Sequence, residues 1–312
     1  MSDEPYNTIT ILGPTASGKT ALAARVAAAA GGEIISADSR QLYRGMDIGT
    51  GKDLDEYVID GRRVPCHLVD IAEAGYRYNL FEYQRDFRVA WEDCRRRGVL
   101  PVLCGGSGMY IEAILQGYRL TPVPANPALR AALSSKTLPE LAAILASYRP
   151  LHNTTDTCTV ARATRAIEIA EHYRAHPAGD EDFPRVRSLV VGIALDRERR
   201  RDRVTRRLHD RLQAGMIEET RALLSRGVKP EDLIYYGLEY KYTTLHLTGT
   251  LSRDEMVERL NTAIHRFAKR QMTWFRKMER QGINIRWLDG DMSLDDNLSR
   301  VLEWYSRGDH ET

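Results

Sequence analysis

The 312-residue chain has only four cysteines, Cys66, Cys94, Cys104 and Cys158, and none are paired at C-x-x-C spacing. That scarcity excludes a disulfide framework and gives no indication of a zinc site, leaving most of them the role of small buried hydrophobes. Long apolar runs are missing too, and the first residues show no basic segment leading into an apolar one. Neither a membrane span nor an export signal is expected, and the cytoplasm is the expected location. No internal repeat or low-complexity linker is present. With 43% hydrophobic and 28% charged residues, the composition is that of a soluble globular protein, long enough for one large or two modest domains.

The formal net charge is only +2, but the charge is unevenly spread. Residues 185–211 hold ten Arg against four acids, and residues 259–280 hold seven basic residues against one acid. Two basic blocks in a nearly neutral chain point to a local polyanion-binding surface, or to Arg-rich solvated helix faces.

The most informative stretch is Gly13-Pro14-Thr15-Ala16-Ser17-Gly18-Lys19-Thr20, which fits G-x-x-x-x-G-K-[ST]. It follows a short β-branched run at 8–12 and precedes an Ala-rich helical run at 19–30, the strand–loop–helix context the motif requires. Its glycines let the loop wrap an anion with backbone N–H groups, and the following helix adds positive potential. Lys19 suits a terminal phosphate, and the Thr20 hydroxyl suits Mg²⁺. A di- or triphosphate ligand follows, of unspecified identity.

Strand and helix signals then alternate as in a doubly wound, mostly parallel sheet. Strands are predicted at 33–36, 66–71, 99–103 and 188–195, with a closing strand at 283–287. A helix is predicted from the Asn79 cap, with Glu82 three residues on, to about Arg97. Between 121 and 180 strand signals vanish, Pro122, Pro124 and Pro127 intervene, and helical segments follow. The expected organisation is therefore a P-loop α/β core of residues 1–120 and 181–312, ending in basic helices, with a helical insertion at 121–180.

Two further motifs fall at predicted strand ends, where open parallel sheets bind ligands. Ser36-Ala37-Asp38-Ser39-Arg40-Gln41-Leu42-Tyr43 follows the second strand, and Gly105-Gly106-Ser107-Gly108-Met109-Tyr110 follows the fourth. Asp38 alone reads equally as a helix cap, a Mg²⁺-holding carboxylate or a base beside the phosphate loop. The Ser107 hydroxyl and neighbouring amides suit a second anion or the positioning of a nucleophile.

Taken together, G-P-T-A-S-G-K-T, S-A-D-S-R-Q-L-Y-R-G-M-D-I-G-T-G-K, G-G-S-G-M-Y and Phe267-Ala268-Lys269-Arg270-Gln271-Met272-Thr273-Trp274-Phe275-Arg276 closely resemble the tRNA dimethylallyltransferase family over residues 8 to about 288. The chain departs from the family pattern in several places: the insertion is short, and the family's Gly-Gly-Thr is Gly105-Gly106-Ser107, which keeps the hydroxyl. Cys158-Thr159-Val160-Ala161-Arg162 stands where the family usually has Asn-Asp-Pro-Gln-Arg. Ile234-Tyr235-Tyr236-Gly237-Leu238-Glu239 stands for Arg-x-x-Gly-Tyr-Arg, so that Glu239 occupies a position the family fills with arginine.

The resemblance implies transfer of a dimethylallyl group from dimethylallyl diphosphate to N6 of adenosine 37 in the anticodon loop of tRNA, by a Mg²⁺-dependent, cytoplasmic enzyme expected to be a monomer. It implies Gly13, Thr15, Ala16, Ser17, Gly18, Lys19 and Thr20 as the diphosphate cradle, with Thr20 also on the metal. Asp38 is implied as the base, Ser107 as holder of N6 or the diphosphate, and Arg221 as a further group near the diphosphate. The implied tRNA contacts are Asp38, Ser39, Arg40, Gln41, Ser107, Arg130, Arg162, Arg165, Lys269, Arg270, Gln271, Thr273, Trp274 and Arg276, with the insertion part of that surface. A P-loop small-molecule kinase using ATP shares the loop and the aspartate but not the C-terminal Lys-Arg-Gln-x-Thr-Trp block. An adenylate isopentenyltransferase shares the donor but has no need of the insertion. A binding-only RNA ATPase shares the basic blocks but not the transfer chemistry.

Overall fold

The computed structural model of the chain describes residues 6–151, 156–176 and 183–308. The chain divides into two compact units, residues 1–117 with 184–312, and residues 118–183.

The larger unit begins with β1 (Thr8–Leu12), whose five residues are all buried. A strand covered on both faces shows no polar–apolar alternation. Its two threonines are accommodated by hydrogen bonds, Thr8 accepting from the Trp91 indole at 2.8 Å and Thr10 sharing one with Ser188 at 2.7 Å. Helix α1 (Lys19–Ala30) stops at Gly31, which takes a left-handed φ of 62° and caps with its N–H on Ala27. The next elements are β2 (Gly32–Ser36), a 3₁₀ turn at Leu54–Tyr57, a two-stranded hairpin of β3 (Val58–Ile59) and β4 (Arg62–Arg63), and β5 (Cys66–His67). Helix α2 (Leu80–Arg96) starts with the expected capping box between Asn79 and Glu82. It buries Tyr83, Phe87, Trp91 and Cys94 on one face, three- and four-residue steps that make a single stripe. Strand β6 (Leu100–Gly105) and helix α3 (Gly108–Leu115) complete this part.

The smaller unit is helical, made of α4 (Pro127–Leu133), α5 (Leu138–Tyr148) and α6 (Val160–Ala175) around Leu133, Leu141, Leu145, Ala163 and Ile167. The chain then re-enters the larger unit through β7 (Ser188–Ala194) and α7 (Arg197–Gln213). It continues through α8 (Met216–Ser225), α9 (Pro230–Tyr236), α10 (Leu238–Leu247), the long α11 (Arg253–Arg280), β8 (Ile285–Asp289) and α12 (Leu294–Arg307).

The main sheet has six strands in the order β5-β2-β6-β1-β7-β8, every pair parallel. The parallel α/β reading of the sequence holds. Two strands differ in extent. Only Cys66–His67 of the predicted 66–71 segment pairs with β2, because Leu68 and Asp70 take left-handed φ values of 61° and 55° that end the extension. The closing strand begins two residues late, since the amides of Gln281 and Ile283 turn back onto carbonyls of α11. The β3–β4 hairpin was not anticipated. Among the described residues no helix is long and apolar enough to cross a membrane.

The order places β1 at the centre, with β2 and β6 reached on one side and β7 and β8 on the other. Such a switch point opens a crevice beyond the carboxyl ends of the strands, where α/β sheets bind ligands.

Candidate active site

Three strand ends meet at that crevice. The loop after β1 takes left-handed φ at Ala16 (62°) and at Gly18 (83°). Positive φ is costly for a side-chain-bearing residue such as Ala16, and strain of this kind concentrates where backbone groups are aimed at a ligand. Lys19, at the first position of α1, is half-buried in the wall of the crevice. Burial lowers its pKa, opposed chiefly by the charge of Asp38. A desolvated ammonium beside one carboxylate gains from a further anion. The Glu56 carboxyl from the 3₁₀ turn lies beside Thr20, and burial raises its pKa.

The loops after β2 and β6 are bonded to one another. The Ala37 amide donates to the Cys104 carbonyl at 2.6 Å, and the Ser107 amide to the Ala37 carbonyl at 3.1 Å. The Ser39 amide donates to the Ser107 hydroxyl oxygen at 3.0 Å, while that hydroxyl donates to Ser39 Oγ at 3.2 Å. Asp38 accepts the Arg40 amide on Oδ1 at 2.9 Å, a local turn that fixes its carboxylate.

These groups line a cavity of about 870 Å³ together with Arg203, Arg206, Arg207 and Arg211 of α7, residues 234–241, and Phe267, Arg270, Gln271 and Trp274 of α11. Its lining carries eight Lys or Arg against five Asp or Glu, so the site favours an anion.

Comparison with known proteins decides the family. Residues 41–278 match the family model described as IPP transferase. The chain is 58% identical over 303 residues to tRNA dimethylallyltransferase 2 of Bacteroides fragilis, covering 97% of this chain and 98% of that one. It is 53% identical to tRNA dimethylallyltransferase 2 of Trichlorobacter lovleyi, over 96% and 97% of the two chains. Among solved structures, the tRNA isopentenylpyrophosphate transferase of Bacillus halodurans superposes with a TM-score of 0.71 at 28% identity, over 96% of each chain. A eukaryotic dimethylallyltransferase captured acting on tRNA shares the fold, with a TM-score of 0.80 at 20% identity, over 98% of this chain and 81% of that one.

The chain belongs to the IPP transferase family.

Within this transferase the residues anticipated from sequence fall into three groups. Thr15, Ala16, Ser17, Gly18, Lys19, Thr20, Asp38, Ser39, Arg40, Gln41, Ser107, Arg270, Gln271 and Trp274 line the one cavity, and Gly13 heads its loop. Gln271 is buried and spends its amide on two loops, its oxygen accepting the Thr15 N–H at 2.9 Å and its nitrogen donating to the Gly106 carbonyl at 2.9 Å. Gln41 is similarly committed, donating to the Gly51 carbonyl at 2.9 Å. Trp274 packs on Gly108, where a Cβ would come within 2.4 Å of the indole ring. The Lys277 ammonium lies 4.7 Å from its ring centroid, and its indole nitrogen has no hydrogen-bond partner among the described residues.

Lys269, Thr273 and Arg276 form the exposed face of α11 beside Arg270. Arg130, Arg162 and Arg165 belong to the smaller unit. Arg130 and Arg165 both bind the buried carboxylate of Glu168, Arg130 through Nε and Nη2 at 3.0 Å, while Arg162 is exposed. Burial disfavours a charged Glu168, but the bonds from Arg130, the Asn126 amide and Arg165 outweigh it and hold its pKa at about 2.

Arg221 corrects the expectation. It is outside the cavity lining, more than half exposed on α8, and ion-paired with Glu218 at 3.7 Å. From the same helix Glu219, also outside the lining, braces two segments that do line the cavity, accepting the amides of Asp47, Ile48 and Gly49 at 2.8–2.9 Å and the Tyr240 hydroxyl at 2.6 Å. With α8 turned this way, four of the six arginines that line the cavity come from α7. The ten-arginine block was visible in the sequence, but its four inward positions were not. Glu56 had no sequence signal beyond its nearness to the Asp38 motif.

Proposed function

We propose that this enzyme transfers a dimethylallyl group from dimethylallyl diphosphate to N6 of adenosine 37 in a tRNA anticodon loop. The observation that carries the reading is the convergence of three bonded loops. Lys19 and Thr20 of the phosphate loop, Asp38, and Ser107 line one cavity whose walls are rich in arginine.

In this reading the diphosphate occupies the amide cradle of residues 13–20, with the Lys19 ammonium and the Arg207 guanidinium against it. As the allylic C1–O bond breaks, its electron pair goes to the diphosphate oxygen, and these fixed cations meet the growing charge without reorganising. N6 forms the new bond to C1, and its proton passes to the Asp38 carboxylate. An exocyclic adenine amine is nearly non-basic, so a placed carboxylate contributes about 10²–10⁴-fold. Ser107 Oγ, held against Ser39, is placed to accept from or donate to the amine or a phosphate oxygen.

The Thr20 hydroxyl and Glu56 carboxylate are hard oxygen donors side by side at the phosphate loop, a set that fits Mg²⁺. A bound Mg²⁺ would supply further neutralisation of the diphosphate.

The adenosine must leave its stack to reach the cavity, at a cost of a few kcal/mol that is smallest for an unpaired loop base. Phosphate contacts from Lys269, Arg270 and Arg276, and from arginines of the smaller unit, supply the RNA affinity.

The test supplies purified protein and Mg²⁺ with dimethylallyl diphosphate or ATP, and with unmodified tRNA or free AMP. Prenylation of tRNA, only with the prenyl donor, supports the reading. Prenylation of AMP alone, or ATP consumption without transfer, overturns it.

A further inference from the structure

Arg211 is the most unusual cation in the cavity. It projects from α7, its side chain is only 13% exposed, and its Nη2 has no hydrogen-bond partner among the described residues. The nearest carboxylate, Asp53, stands 3.7 Å from Nη2 and is hydrogen bonded to Arg207 instead. Guanidinium groups are rarely buried without their donors satisfied, since desolvation without compensation is expensive.

Two features show that the surroundings are built for this arginine. Gly51 has a left-handed φ of 67°, and a Cβ there would lie 1.7 Å from Arg211 Nη2 and 2.7 Å from Arg207 Nη2. The loop thus lies flat against both guanidiniums, and a side chain at position 51 would have to displace them. Glu239, recessed in the same cavity, interacts electrostatically with Arg211 and Arg207. It occupies the position where the family pattern carries arginine.

We propose that Arg211, positioned by Glu239, is a second guanidinium on the diphosphate of the prenyl donor, acting beside Arg207. Arg207 is tied to Asp53, whereas the Nη2 of Arg211 is packed away against Gly51 with no partner among the described residues, so the guanidinium gains by turning toward the cavity it lines to donate N–H···O bonds to phosphate oxygens on donor binding. The unmet donor in the free protein is then stability given up for the bound state. This inference rests on the reading of the cavity as a diphosphate site.

The experiment measures calorimetric affinity for inorganic diphosphate with Mg²⁺, tRNA affinity, and Tm of the ligand-free protein. The proteins are wild type, Arg211→Met, Arg211→Lys, Glu239→Gln and the Arg211→Met/Glu239→Gln pair. Arg211→Met is expected to weaken diphosphate binding about 10- to 100-fold, as charge-assisted hydrogen bonds do, while Tm holds or rises and tRNA affinity stays within about twofold. Arg211→Lys retains charge without the fork and falls between. Glu239→Gln weakens diphosphate binding in the wild-type background but adds nothing in Arg211→Met, the coupling of a positioning residue with its target.

Unchanged diphosphate affinity with a lowered Tm would make Arg211 a structural residue and overturn the proposal. Lost tRNA affinity with diphosphate binding intact would overturn it by assigning Arg211 to the RNA backbone. In either case a wild-type protein that binds diphosphate and transfers the prenyl group leaves the reading of the site standing. A wild type that binds no diphosphate removes both.

Discussion

Gln271 on α11 accepts the N–H of Thr15 in the phosphate loop at 2.9 Å, across 256 residues of sequence. Its other amide atom donates to Gly106 at 2.9 Å, so one buried side chain ties the loop after β1, the Ser107 loop and the helix proposed to carry the RNA surface. The cradle is therefore preorganised by the same helix that exposes Lys269 and Arg270.

Gln271→Ala is expected to leave two backbone groups unpaired, at about 1–3 kcal/mol each. A chemical-denaturation midpoint should fall, and affinities for donor and tRNA should weaken together. A loss confined to tRNA would mean that Gln271 acts only as an RNA contact.

Arg207 and Arg221 separate the cavity face of this region from its solvent face. Arg207→Ala is expected to lower kcat/KM for the donor by about 10²-fold or more, the usual effect of removing one group that stabilises developing charge. Arg221→Ala should stay within about twofold, because its ion pair with Glu218 is on the surface and such pairs contribute little. Steady-state kinetics with donor varied distinguish the two.

Most of the fold was legible because its signals are local. Buried parallel strands read as apolar runs, and the phosphate loop and the Asn79 capping box depend on neighbours in sequence. The Asp38, Ser107 and Lys269–Arg276 motifs were found for the same reason. What escaped depends on rotation about helix axes and on distant partners. Ten arginines between residues 185 and 211 look alike in sequence, and only the packing of α7 turns Arg203, Arg206, Arg207 and Arg211 inward. Glu219 and Arg221 are two residues apart on α8, which puts them on different faces. The family resemblance named Arg221, whereas the fold turns Glu219 inward onto the loop of residues 47–49 and leaves Arg221 in solvent. The departure at Glu239 was visible as a string, but its electrostatic partner lies 28 residues earlier in sequence, on another helix.

Charge reversal at Lys269 and Arg270 should weaken tRNA binding and flatten its salt dependence. Each lost phosphate contact reduces the log–log slope by about 0.7 on single-stranded RNA. Donor affinity should be preserved for Lys269→Glu. An unchanged slope in a salt titration would assign both residues to the fold alone.

Glu168 makes the smaller unit acid-sensitive. Its folded pKa of about 2 lies below the ordinary 4.5, so its contribution is complete above the unfolded value and fades as pH falls from about 4.5 towards 2. Glu168→Gln should lower stability at pH 7 and remove that part of the acid dependence. Thermal melts from pH 7 to pH 3 on both proteins check the sign.

The most direct measurement is single-turnover transfer from dimethylallyl diphosphate to unmodified tRNA by the wild type and by Asp38→Asn, read by mass spectrometry of the digested RNA with tRNA affinity measured in parallel. The account predicts one dimethylallyl group on the adenosine at position 37 from the wild type. With Asp38→Asn the rate falls about 10²–10⁴-fold while tRNA still binds. No prenylated adenosine from the wild type, or an undiminished rate from Asp38→Asn, would contradict it.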